Sequence, residues 1–94
     1  MTLAAFKDSL NKNKPAEGLP PLLQAMWHDV KGDWNAAHDL AQDIDTKKGA
    51  WVHAFLHRKE GDGSNAAYWY DRAGKKYSTK SLSEEWEEIV NSLL

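Results

Sequence analysis

The middle of this 94-residue chain contains the same pattern twice, and this repeat constrains the fold more than any other feature. Residues 25–33, AMWHDVKGD, align with residues 54–62, AFLHRKEGD, at an offset of 29. After one extra residue in the second copy, the tripeptide Asn-Ala-Ala at 35–37 aligns with the same tripeptide at 65–67. Each copy has a Gly-Asp turn between two stretches with apolar residues at helical spacing, which predicts a duplicated helical hairpin.

Helix signals continue on both sides of the repeat, and sustained strand alternation is missing. The expected helix N-caps are Thr2, Asp33, either Asp45 or Thr46, Ser64 and Ser81. Ser81 and Glu84 form a capping box, and the acidic run 84–88 that follows is interpreted as a solvated helix face. We predict an all-α fold of two stacked hairpins, with N- and C-terminal helices that cap their apolar faces.

Composition limits the classes of function. The length fits one domain over residues 1–94, and a net charge of -2 argues against a nucleic-acid partner. The chain has no cysteine, which excludes disulfides, thiolate metal sites and cysteine nucleophiles. No segment is apolar enough to predict a membrane span or a signal peptide. A cytoplasmic location is therefore expected.

The histidines form the pattern most suggestive of chemistry. His53 and His57 lie four apart on one predicted helix, a spacing that can offer two nitrogens to one divalent metal ion. Ala54 stands where a zinc peptidase has its glutamate base. His28 is the repeat equivalent of His57, and His38 follows on the next helix, so all four could converge if the hairpins are related by a rough two-fold axis. The commoner interpretation packs each ring at the margin of an apolar face, and a bound metal is the alternative.

Asp29 and Arg58 occupy the same place in the two copies, each within the apolar arc of its helix. A charge at such a place must reach solvent or find a partner. One hypothesis pairs Asp29 with Arg58 across the interface between the hairpins. The other exposes each residue separately, since both are close to helix ends.

Three consecutive aromatic residues cover most of the circumference of the fifth predicted helix. The repeat alignment puts Tyr70 at an apolar position, where we expect it to be buried, and Trp69 at a polar one. Trp69 is therefore a candidate for an exposed binding aromatic, together with Tyr68 and Arg72. The favoured alternative is that the sixth helix covers Trp69.

The repeat carries two resemblances. Small residues at Ala25 and Ala37, with Gly32 in the turn and Trp34 just after it, resemble a tetratricopeptide-type repeat. The period is shorter than the usual ~34 residues, so the chain is similar to this class as a kindred short hairpin repeat. The strings at 51–62 and 65–74 also resemble a family of small bacterial proteins of unknown function. That resemblance implies no catalytic residue, and implies that the chain is a complete protein.

These patterns lead to an expected function. We expect a binding role rather than catalysis, with a protein or peptide held in the groove between the hairpins, or a second copy of the chain as partner. The alternative is a small histidine-based metal-binding protein or metal-dependent enzyme. The candidate partner-binding residues are His28, His38, His53, His57, Arg58, Tyr68, Trp69 and Arg72.

Overall fold

The chain folds into six α-helices without strands, and the computed structural model describes all 94 residues. The helices are α1 Leu3–Ser9, α2 Pro21–Val30, α3 Trp34–Gln42, α4 Lys47–Glu60, α5 Gly63–Ala73 and α6 Leu82–Leu93. The all-α prediction is confirmed. None of the six helices combines the length and the apolar character that crossing a membrane requires.

Side-chain caps explain where most helices begin. The predicted caps Thr2, Asp33, Thr46 and Ser81 each accept a hydrogen bond from a backbone N–H in the first turn. The prediction is wrong for α5, because Asp62 rather than Ser64 accepts from the Asn65 N–H, at 3.3 Å. The repeat carried the right signal, since Asp62 aligns with Asp33.

The two Gly-Asp turns of the repeat adopt the same backbone structure. Gly32 and Gly61 have φ angles of 86° and 89°, a left-handed conformation that glycine enters without a steric penalty. In each turn the aspartate N–H bonds back to the carbonyl of a histidine, His28 in the first copy and His57 in the second, both at 2.9 Å. The duplication in the sequence is therefore a duplication of local structure.

Helix α4 lies at the centre of the molecule. Every residue from 49 to 57 is buried, because α4 packs against α2, α3, α5 and α6 and has no solvent face over this stretch. The chain is closely packed at the start of α4, because a Cβ atom on Gly49 would lie 2.2 Å from the carbonyl oxygen of Ile44. Helix α2 packs against α3, and α1 packs on α6.

Hydrogen bonds from tryptophan side chains connect different parts of the chain. Four of the five donate their indole N–H to a group on a different part of the chain, which satisfies the polar end of a mostly buried ring. The pairs are Trp27 with the Ser9 carbonyl, Trp34 with the Leu56 carbonyl, Trp51 with the Glu85 carboxylate and Trp86 with the Met26 carbonyl.

Candidate functional site

Three of the four histidines converge where α3 meets α4. His38 from α3 and both His53 and His57 from α4 each place a ring nitrogen within 4.8 Å of the others. The Nε2 atoms of His38 and His53 are 2.9 Å apart, and the rings of His53 and His57 stack with centroids 4.8 Å apart. The predicted His53 and His57 pair thus acquires a third member. We call these three residues the histidine cluster.

Two tryptophans flank the histidine cluster. Trp34 stacks on His38 with centroids 4.8 Å apart, and Trp69 stacks on His53 at 4.0 Å. The Trp34 indole N–H donates to the Leu56 carbonyl at 2.8 Å, which fixes that ring. The imidazoles are therefore held in a defined orientation by packing on both sides.

His57 has a carboxylate partner. Its Nδ1 lies 2.7 Å from Oε2 of Glu60, and an ionised carboxylate can only accept, so Nδ1 carries the hydrogen. The neutral ring then has its lone pair on Nε2. A carboxylate that orients a histidine through its second nitrogen is the usual outer partner of a metal-bound imidazole.

The surroundings keep His38 and His53 uncharged near neutral pH. Burial, together with the neighbouring His38 and His57, lowers the pKa of His53 to about 4. Burial and the proximity of His57 also lower the pKa of His38. Between two neutral rings, one Nε2 donates and the other accepts across the 2.9 Å contact. Neutral imidazole is the form that binds metal ions.

His28 does not join the cluster, so the convergence of all four histidines, which the sequence left open, does not occur. Its ring meets Trp27 edge-on, with centroids 5.2 Å apart. The cluster is assembled from α3 and α4, whereas His28 lies on α2. As the repeat equivalent of His57, it lies at the matching position of α2 and not on either helix that forms the cluster.

The predicted pair of Asp29 and Arg58 is also wrong, because each residue has another partner. Lys59 Nζ lies 3.0 Å from Oδ1 of Asp29, and Arg58 donates to Oε1 of Glu85 at 2.8 Å. One residue along a helix turns the side chain by about 100°, so the neighbour of Arg58 faces α2. Burial raises the pKa of the Asp29 carboxyl although Lys59 opposes the shift.

Glu85 was missed as a structural residue, because it lies in the acidic run interpreted as solvated. Its side chain is 1% exposed and accepts hydrogen bonds from Trp51, Tyr70 and Arg58. We call these four residues the glutamate network. Glu85 precedes Ile89 by four residues, so the helical spacing of the apolar stripe contained the signal.

The aromatic surface on α5 is only partly covered. Tyr70 is buried as expected, and Tyr68 is 54% exposed. Trp69 is half-buried against His53, while α6 packs on α1, α2 and α4, so the predicted cover of Trp69 by the sixth helix is wrong. The Arg72 guanidinium lies over both outer rings, 5.8 Å from Tyr68 and 5.4 Å from Trp69.

Comparison with protein-family models, with curated proteins and with solved structures gives no significant match.

Proposed function

We propose that the protein binds one divalent transition-metal ion, with Zn²⁺ as the reference ion, through His38, His53 and His57. The observation that carries this proposal is the convergence of three imidazole nitrogens within 4.8 Å of one another. Imidazole is a preferred ligand of zinc, copper, nickel and iron, so the donor set fits such ions rather than magnesium or calcium.

The spacing of the nitrogens supports this proposal. Zinc–nitrogen bonds of ~2.0–2.1 Å in a tetrahedron separate two ligand nitrogens by about 3.4 Å. The Nε2 atoms of His38 and His53 are at 2.9 Å, so a small outward movement of one ring would create the required gap. A bound ion would replace one hydrogen bond between two imidazoles with two metal bonds.

Glu60 would be the outer-shell partner in this proposal. Its hydrogen bond to Nδ1 leaves Nε2 of His57 as the nitrogen that would bind the ion, and would increase the basicity of the ring. Three histidines leave one tetrahedral position for water, and zinc sites of that composition lower the pKa of the bound water and support hydration or hydrolysis. That is the reaction class to which such a site would belong.

The test is a calorimetric titration of chelator-treated protein with ZnCl₂. We expect one ion per chain, and we expect His38→Gln, His53→Gln and His57→Gln each to weaken binding by at least tenfold. His28→Gln is the matched control, because His28 lies outside the cluster. Binding that all four variants weaken equally, or no binding at all, would refute the proposal. Cobalt(II), titrated in parallel, would report the ligand geometry through its visible absorption.

A second candidate function is that of an interaction module of the short hairpin-repeat type, similar to tetratricopeptide repeats and located in the cytoplasm. The packing of α2 on α3 and of α4 on α5 supports two consecutive hairpins. The exposed Tyr68 under Arg72 favours a binding surface on α5. If the partner is a second copy, sedimentation equilibrium will detect a dimer that Tyr68→Ser weakens. A monomer at every concentration would leave only a different protein or peptide as partner.

A further inference from the structure

A cleft of about 550 Å³ lies between α1, α2, α4 and α6, away from the histidine cluster. Its walls are mainly apolar, and the volume is within the range of ~300–1,000 Å³ typical of small-molecule sites. Val30 and Leu82, at the rim, are 44% and 38% exposed. The apolar lining consists of Leu10, Val30, Phe55, Leu82 and Trp86.

Asp29 gives this mainly apolar cleft a buried carboxylate. Its side chain is 1% exposed and lines the cleft, and Lys59 contacts only Oδ1. Oδ2 is the one buried side-chain nitrogen or oxygen of the molecule without a hydrogen-bond partner. A buried acceptor without a donor is costly, so a ligand that supplies a donor gains more here than it would at a solvated carboxylate.

The charges around the cleft select the kind of donor. Lys59 is paired with Asp29, and the other lysine of the lining, Lys7, is paired with Glu87 at 3.2 Å. A ligand with an ammonium group would be repelled by the ammonium of Lys59. An anionic ligand would be repelled by the unpaired carboxylate oxygen of Asp29. An uncharged N–H or O–H donor meets neither penalty.

We propose that this cleft binds a small, uncharged aromatic molecule that carries a single N–H or O–H donor. The ring packs against the apolar lining of the cleft, which includes Phe55 and Trp86, and the donor hydrogen-bonds to Oδ2 of Asp29. This binding is independent of the proposed metal site, which shares no residue with the cleft.

The experiment uses two probes that share one aromatic body and differ at the ring nitrogen, which carries a hydrogen in one and a methyl group in the other. Indole has an aromatic body and one uncharged N–H, and 1-methylindole has the same body without the hydrogen. Each is titrated into the full chain, in the presence of a chelator, and followed by ¹H–¹⁵N NMR. We expect indole to shift the amides of Val30, Phe55 and Leu82, and 1-methylindole to bind roughly tenfold more weakly, the effect of losing one hydrogen bond to a charged group.

Two variants test the residues directly. Asp29→Asn keeps the shape but turns an N–H₂ toward the ligand, and should weaken indole binding by a similar factor. Val30→Lys changes only an exposed rim residue, so the fold is retained while the entrance is obstructed. Tyr68→Ser is the control, because Tyr68 is an exposed aromatic outside the cleft and its loss should leave the titration unchanged.

Three outcomes would overturn the proposal. The first is equal affinity for the two probes, which would remove Asp29 from recognition. The second is the absence of shifts at the cleft at millimolar indole. The third is that the cleft amides shift with protein concentration alone, since the cleft would then be an interface between copies of this chain. If the proposal for the cleft fails any of these tests, the proposed metal site is not affected, because the zinc titration is carried out without indole.

Discussion

Helix α4 contributes to two buried polar clusters, and the polar groups of the two clusters are paired in different ways. In the glutamate network, one carboxylate accepts from a guanidinium, an indole and a phenol, and both of its oxygens are paired. In the histidine cluster, three groups of the same type face one another, and the carboxylate of Glu60 lies at its edge.

This difference separates a structural role from a binding role. The glutamate network holds opposite charges and complementary donors, and the carboxylate together with burial raises the pKa of Tyr70. In the histidine cluster, burial and the neighbouring imidazoles instead lower the pKa of His53 and of His38. Groups of one type with perturbed pKa values and unused donor capacity are typical of functional sites.

Removing the carboxylate of the glutamate network should have the largest effect on stability. Glu85→Ala leaves Arg58, Tyr70 and Trp51 without their common acceptor, and we expect the free energy of unfolding to fall by ~3–5 kcal/mol. Glu88→Ala is the matched control on the same helix, since its exposed pair with Lys80 should contribute less than ~1 kcal/mol. Urea denaturation measures both. Similar losses in the two variants would contradict the structural role of the network.

Zinc should stabilise the protein through the histidine cluster alone. At a free concentration one hundred times its Kd, a ligand of the native state adds ~2.7 kcal/mol to the free energy of unfolding. We expect this gain in the natural sequence and in His28→Gln, and its loss in His53→Gln. Urea curves with and without ZnCl₂ provide the measurement. Zinc stabilisation that persists in His53→Gln would place the metal elsewhere.

The pH dependence of stability should distinguish the clusters next. The pKa of His53 is near 6.5 in an unfolded chain and about 4 in the native state. Below pH 6.5 the unfolded state therefore binds a proton that the native state does not, and stability falls as the pH drops toward 4. In chelator-containing buffer, His53→Gln should reduce the fall in the free energy of unfolding between pH 7 and pH 4 by roughly 2–3 kcal/mol relative to His28→Gln. An equal dependence of the free energy of unfolding on pH in the two variants would refute this prediction.

The smallest predicted effect belongs to Glu60, which touches the cluster only through His57. Glu60→Gln should weaken zinc binding about tenfold, or ~1.4 kcal/mol, because the outer partner of His57 loses its charge. The free energy of unfolding of the metal-free protein should change by less than ~1 kcal/mol, since the pair is partly exposed. Calorimetry and urea curves give the two values. Glu87→Gln, on another helix, is the control and should alter neither.

Local signals predicted much of the fold. Caps and glycine turns are decided within a few residues of the chain, which explains why Thr2, Thr46 and Gly61 behave as expected. The error at α5 was also local, because Asp62 and Ser64 lie two residues apart in one turn, and Asp62 lies in the position that the repeat assigns to the cap.

Which charged side chains pair with one another is not decided locally, and the sequence analysis predicted the partner of Asp29 incorrectly. Which side chain Asp29 meets depends on the rotation of α4 relative to α2, and a turn of one residue replaces Arg58 with Lys59. The burial of Glu85 likewise depends on α6 packing against α4, which brings Trp51 and Arg58 to the carboxylate. Such contacts join residues 27 to 34 positions apart, beyond the reach of any short motif.

The sequence by itself determined that this protein is helical and duplicated, and that His53 and His57 lie on one face of one helix, because these properties follow from spacing within a helix. Only the tertiary structure decided that His38 and not His28 completes the cluster, and that Asp29 keeps one oxygen without a partner. Both outcomes depend on the rotation and approach of packed helices, which are set by the side-chain packing of the whole core rather than by any segment alone.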